Sequence, residues 1–149
     1  MKLYDLAQRF VGMAELAGDK HNGFISWAHS LCGLDPSTPD EVPWCSSFVN
    51  ALAWMLRLPR SKSSAARSWL NVGRPIEIDL AVPGFDVVIL KRGTGPQPGP
   101  EITSGAPGHV GLFAGIDQSV VLVLGGNQSN SVNIARYPIN SMLGVRRLS

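Results

Sequence analysis

The apolar positions of this chain follow a helical period through its first half and a strand period through its second. Leu3, Leu6, Ala7, Phe10, Val11 and Ala14 recur at three- and four-residue steps, which predicts an amphipathic helix ended by Gly18. Phe24, Ile25, Ala28, Leu31 and Cys32 predict a second helix, with Asn22 as its cap and Gly33 as its stop. Cys32 thus sits on an apolar face, as a buried structural thiol would. Pro36, Pro39 and Pro43 make the next stretch a loop, and Pro43 biases Val42 towards an extended backbone. From Cys45 to about Arg57 the chain is apolar nearly all round, the pattern of a central buried helix with Cys45 in its first turn. Leu58 and Pro59 close it. A cap among residues 61–64 opens a short helix that turns Ala65, Ala66, Trp69 and Leu70 inward and gives Arg67 one charged edge; Gly73 ends it.

Beyond Pro83 and Gly84 alternation takes over, and strands are predicted at 86–91, 109–116, 120–125, 132–136 and 144–147. Helices first and an antiparallel sheet after them make an α+β domain. The stretch 93–108 holds four prolines and five glycines, so it reads as a long loop, a mobile rim or a partly disordered connection, feeding into His109. With no internal repeat and no linker, residues 1–149 are expected to form a single domain.

Composition narrows the function classes. The 149 residues suffice for one substantial core. A net charge of +2 is too small to argue for nucleic acid, although a weakly basic surface helps near an anionic polymer. No apolar run approaches the ~18 residues of a membrane span, and the first residues lack the apolar centre of a signal peptide. Two cysteines do not make a disulfide framework. Three histidines without Cys-x-x-Cys or His-Glu-x-x-His argue against zinc. No phosphate-loop, dinucleotide or calcium-loop fingerprint appears, so neither cofactor nor metal is expected.

The candidate chemistry lies in Pro43-Trp44-Cys45-Ser46-Ser47 and Gly108-His109-Val110-Gly111. A thiol attacks as thiolate, at an unperturbed pKa near ~8.5, and a helix N-terminus at Cys45 is expected to lower that value. The same backbone N–H groups can face an oxyanion. His109 opens a strand, and Gly111, next on the same sheet face, leaves room beside the imidazole. A third group should hold the other ring nitrogen. If the hairpin centres on Gln118, residue 127 faces 109; a centre between Asp117 and Gln118 makes Gly126 the opposite residue, with Gln128 the same-face diagonal neighbour. Asn127 is the preferred orienter, and Gln128 the alternative. Trp44 and Ser46 are candidates for substrate or oxyanion contact, with Trp44 favoured as an anchor for the helix start. His21, His29, Asp40 and Glu41 read as solvated surface residues.

Several segments occur here in the order of a known family. They are Val42-Pro43-Trp44-Cys45-Ser46-Ser47-Phe48-Val49-Asn50, Ala65-Ala66-Arg67-Ser68-Trp69-Leu70, Pro83-Gly84, Gly108-His109-Val110-Gly111 and Leu124-Gly125-Gly126-Asn127-Gln128-Ser129. The chain resembles the small phage and bacterial proteins of the CHAP and NlpC-type cysteine peptidase/amidase superfamily, over nearly its whole length. The resemblance implies a papain-like fold, with a helix-borne cysteine packed on an antiparallel sheet that carries the histidine. It implies hydrolysis of peptidoglycan amide bonds, with Cys45 as nucleophile, His109 as base and Asn127 or Gln128 as orienter. Many relatives carry an acid at the third position, where this chain has amides. The acidic calcium cluster of some CHAP lysins is not evident.

The expectation is therefore a peptidoglycan hydrolase, N-acetylmuramoyl-L-alanine amidase or endopeptidase, acting as a phage or prophage endolysin. An antibacterial effector with an immunity protein as partner, or a non-catalytic wall- or partner-binding module, are the rivals. A monomer is expected, with no nucleic acid partner, no membrane insertion and no separate wall-binding domain. It would be made in the cytoplasm and reach the wall through a holin or a secretion system.

Overall fold

The computed structural model describes residues 1–17 and 20–149; Gly18, expected to end the first helix, lies outside the described residues. Helices α1 (Leu3–Gln8), α2 (Gly23–Ser30) and α3 (Cys45–Met55) precede the strands β1 (Arg74–Ile76), β2 (Asp86–Leu90), β3 (His109–Asp117), β4 (Val120–Gln128), β5 (Ser131–Pro138) and β6 (Met142–Arg147). A 3-10 helix, Ala66–Asn71, stands between α3 and β1. The strands form one sheet in the order β1-β6-β2-β3-β4-β5, every neighbouring pair antiparallel. Helices packed on a C-terminal antiparallel sheet, with Cys45 at the start of the central helix, make this the papain-like α+β arrangement.

The alternation of β2, β3 and β4 puts an apolar set on each face of the sheet. Val87, Ile89, Val110, Leu112 and Leu124 meet Trp44, Phe48, Val49 and Leu52 of the helical layer. Val88, Leu90, Phe113, Val121, Val123 and Val145 form the opposite face with Ile76, Ile78, Tyr137 and Met142. Each such side chain, fully buried, stabilises the fold by about 1.5–3 kcal/mol. At one end of β2 the buried Asp86 accepts from Arg147 Nε at 2.7 Å and Nη2 at 2.8 Å, so its carboxylate is paired.

Helix α3 has no side-chain cap at Trp44, which leaves the first-turn N–H groups to whatever lies before Cys45. It stops where Arg57 takes the left-handed conformation (φ +57°) and Leu58 N–H donates back to Ala53 O at 2.9 Å. The buried Asn50 ties the exit to the entrance: its Nδ2 donates to Ser46 O and Ser63 O, and its Oδ1 accepts from Lys62 N–H.

The apolar period carries the first helix to Ala14, but α1 ends at Gln8. Gly12 (φ +98°) turns the chain so that its N–H donates to Val132 O and Val132 N–H donates to Met13 O at 2.8 Å. Sheet pairing thus supersedes the helix, while Phe10 keeps its apolar contacts with Phe24 and Phe48. His29 and Asp40 are buried rather than solvated. His29 Nδ1 meets Ser47 Oγ at 2.7 Å across α2 and α3, and Asp40 accepts the N–H groups of Leu16 at 3.0 Å and Asn22 at 2.7 Å. Burial alone would raise the Asp40 pKa; these donors and His21 outweigh it, and the carboxyl stays below its usual value. Arg67 offers no charged edge, being wholly buried. Its guanidinium donates to Pro107 O (2.8 Å), Gly99 O (2.9 Å), Ile102 O (3.0 Å) and Pro98 O (3.0 Å), so the long loop before His109 is gathered on one cation. Strand β1 falls outside the predicted elements, because three residues centred on a proline carry no alternation to read.

Candidate active site

Cys45 is the first residue of α3 and is only 3% exposed. Burial pushes the thiol pKa up. The backbone N–H of Val110, the Arg92 guanidinium and the N–H groups of Ser46 and Cys45 act against burial without overcoming it. The expected lowering by the helix N-terminus is therefore corrected: the donors are present, but the desolvation of a sulfur wedged between α3 and β3 is larger. At neutral pH the group is a thiol.

His109 opens β3 opposite Leu90 of β2. Its Nε2 lies 2.9 Å from Gln128 Oε1, and its ring packs on Tyr137 at a centroid distance of 5.3 Å. The orientation of the Gln128 amide follows from its surroundings: its Nε2 donates to Val123 O, Asn133 O and Asn133 Oδ1 at 2.8–3.2 Å. Its Oε1 accepts from the Tyr137 hydroxyl at 3.0 Å as well as from the imidazole. An acceptor at that point requires the ring proton on Nε2, so Nδ1 carries the free lone pair. Burial lowers the His109 pKa from 6.5 to about 4; Gln128 opposes this and Arg92 adds to it. The imidazole is neutral at pH 7, and its basic nitrogen is Nδ1.

The hydrogen-bond partner of the imidazole is Gln128 and not the preferred Asn127. Past a slip at Ala114, the hairpin pairs Leu112 with Leu124, a register whose extension would bring residue 127 opposite 109. Between Gly125 and Gln128, however, the pairing with β5 shifts, and Asn127 there takes φ +58°. This bulge turns Gln128 onto the face that Asn127 would have occupied. The Gln128 amide fills the space over Gly125, where a Cβ would come within 3.0 Å of Oε1. The room expected beside Gly111 is likewise taken, by the Val123 side chain of β4.

Trp44 and Ser46 face inward. Trp44 is fully buried, packs edge-on against Phe48 and donates from Nε1 to Glu15 Oε2 at 3.1 Å, which makes it the anchor of the helix start. The Ser46 hydroxyl donates to Ser63 O at 2.6 Å and accepts from Trp69 Nε1 at 2.9 Å, so it has no free valence for an oxyanion. Beside the imidazole a cavity of about 380 Å³ is lined by Lys91, Arg92, His109, Asn127, Gln128 and Tyr137 among others, and Cys45 does not line it. Among the described residues no hydrogen bond joins the Cys45 thiol to His109; the sulfur faces the N–H of the next residue, Val110.

No protein-family model and no curated protein matches this chain. The architecture is papain-like in the general sense, and the finer likeness rests on the motifs alone.

Tyr137, Asn133 and Arg92 are members of the site that sequence reasoning misses. Tyr137 and Asn133 follow the bulge on β5, where only the final pairing shows that they reach back to Gln128. Arg92 lies in the loop after β2, where the Gln97 side chain holds its backbone. Among the described residues no three His, Cys, Asp or Glu side chains cluster as a metal site needs. A neutral thiol and a neutral imidazole whose second nitrogen is held by an amide can, once in contact, pass one proton from sulfur to Nδ1 as the sulfur attacks.

Proposed function

We propose that this protein is a thiol hydrolase of peptidoglycan that cuts an amide bond of the wall. The observation that carries the reading is a helix-start cysteine facing the N–H of Val110, the residue next to His109, whose Nε2 proton is committed to Gln128. In this reading a wall peptide reaches the thiol, and its carbonyl is attacked as the proton passes from Cys45 Sγ to His109 Nδ1. Backbone N–H groups at the start of α3 stabilise the oxyanion. His109 returns the proton to the leaving amine, and water then releases the acyl group from sulfur. The motif order favours wall peptide as substrate, and an endolysin delivered by a holin is the biological setting. An effector countered by an immunity protein would use the same chemistry.

The test is release of new amino termini from purified peptidoglycan. Wild-type protein releases them and Cys45→Ala does not, while mass spectra of the fragments separate a muramoyl-alanine cut from a cut within the peptide. Equal release by Cys45→Ala would sink the assignment. A second reading, a non-catalytic binding module, draws on the depth of the thiol. It predicts peptidoglycan pull-down without fragment release.

A further inference from the structure

The cavity beside His109 has a charge character that the chemistry at sulfur does not require. Its lining includes two cations, Lys91 and Arg92, and no carboxylate. Among the described residues the ion pairs are His21–Asp40, Arg136–Asp117 and Arg147–Asp86, so neither Lys91 nor Arg92 is neutralised by them. Both have fixed backbones. Lys91 N–H donates to Ser141 O at 2.8 Å, and the Gln97 side chain holds Arg92 from both sides, accepting its N–H at 3.0 Å and donating to its carbonyl oxygen. Arg92 is exposed at the rim of this cavity, and its charge acts on Cys45, His109 and Tyr137 alike. Asn127 and Ser129 add neutral polar residues to the wall, while the Tyr137 hydroxyl proton is committed to Gln128. A volume of about 380 Å³ is in the range of small-ligand sites.

We propose that this cavity is a subsite for a carboxylate of the substrate, held by Arg92 with Lys91 beside it, so that the protein selects acidic peptides over their amidated counterparts. The inference rests on the hydrolase reading for its role in turnover, though not for its role in binding. A guanidinium offers two parallel N–H groups to a carboxylate, and a neutral amide cannot use the charge. The second cation raises the local potential and makes the preference sensitive to salt.

The experiment uses one disaccharide-peptide from the wall in two forms, with its peptide carboxylates free and with them amidated. Wild-type protein is expected to prefer the free form by about 10- to 100-fold in kcat/KM, the span of one charge-assisted hydrogen bond. Arg92→Gln should reduce that ratio to within about threefold of unity, mainly through KM, while Arg92→Lys restores part of it. An undiminished ratio in Arg92→Gln overturns the proposal. In parallel, calorimetry on Cys45→Ala reads binding without chemistry. Tighter binding of the free form, lost in the Cys45→Ala, Arg92→Gln double variant, supports the subsite even if no bond is cut; equal binding of the two forms overturns it. Absence of turnover with selective binding would thus remove the hydrolase reading and leave the anion site standing.

Discussion

Replacing His109 with glutamine should change the pH dependence of folding more than the stability at neutral pH. The imidazole is 4% exposed, and burial takes its pKa from 6.5 down to about 4. Between those values the unfolded chain binds a proton that the native protein does not, so native stability rises with pH. The contribution is complete above 6.5 and is lost as the pH falls through the interval towards about 4. Its full size is about 3 kcal/mol, a large part of the margin of a domain this small. Urea unfolding followed by tryptophan fluorescence, from about pH 7.5 to about pH 4.5, measures the slope in each protein. His29 is lowered by burial in the same direction, but it is present in both proteins and cancels in the difference. Asp40 contributes with the opposite ionisation and only below its usual carboxylate range, outside the window. Wild type should lose about 2–3 kcal/mol more than His109→Gln across the interval. Parallel slopes would refute the reasoning, because they would mean that the native imidazole titrates like an exposed one. The same value predicts that the acid limb of any activity lies near pH 4 and not near 6.5.

Two further substitutions test other parts of the framework. Arg67→Met removes four charge-assisted hydrogen bonds to loop carbonyls and should cost about 3 kcal/mol or more, with cleavage by a non-tryptic protease shifting into residues 93–107; an unchanged cleavage pattern would show that the loop is held by something else. Gly126→Ala places a Cβ on the Trp44 indole, 2.7 Å from Cε3, and 3.1 Å from Phe48 Cβ, and should lower thermal stability by about 1–3 kcal/mol, whereas Gly23→Ala meets no atom within 4 Å and should not.

The elements with long periodic patterns are legible in the amino-acid sequence itself. Helix α3 and strands β2, β3, β4 and β6 follow apolar patterns that their final burial explains, and the same patterns assign Cys45 to a helix start and His109 to a strand. What the patterns leave out depends on partners distant in sequence. The end of α1 is decided by Val132, across the fold. The choice of Gln128 over Asn127 is decided by a bulge that exists only when β4 pairs with β5. Arg67 and Asp40 look like surface charges because their partners are backbone groups, which leave no mark in the sequence. The rise in the Cys45 pKa comes from depth of burial, which competes with a helix N-terminus that the sequence does reveal.

The position of that sulfur has one more consequence. With Cys45 only 3% exposed, a reagent larger than water reaches its sulfur only when the groups packed over it, at the seam of α3 and β3, move apart. In the fast-reclosing regime, its modification rate is the intrinsic thiol rate multiplied by the fraction of time the seam is open. Cys32, half-buried just beyond α2, supplies a reference within the same molecule. The chain therefore carries its own strain gauge for the helix–sheet seam, readable by mass spectrometry without any added label.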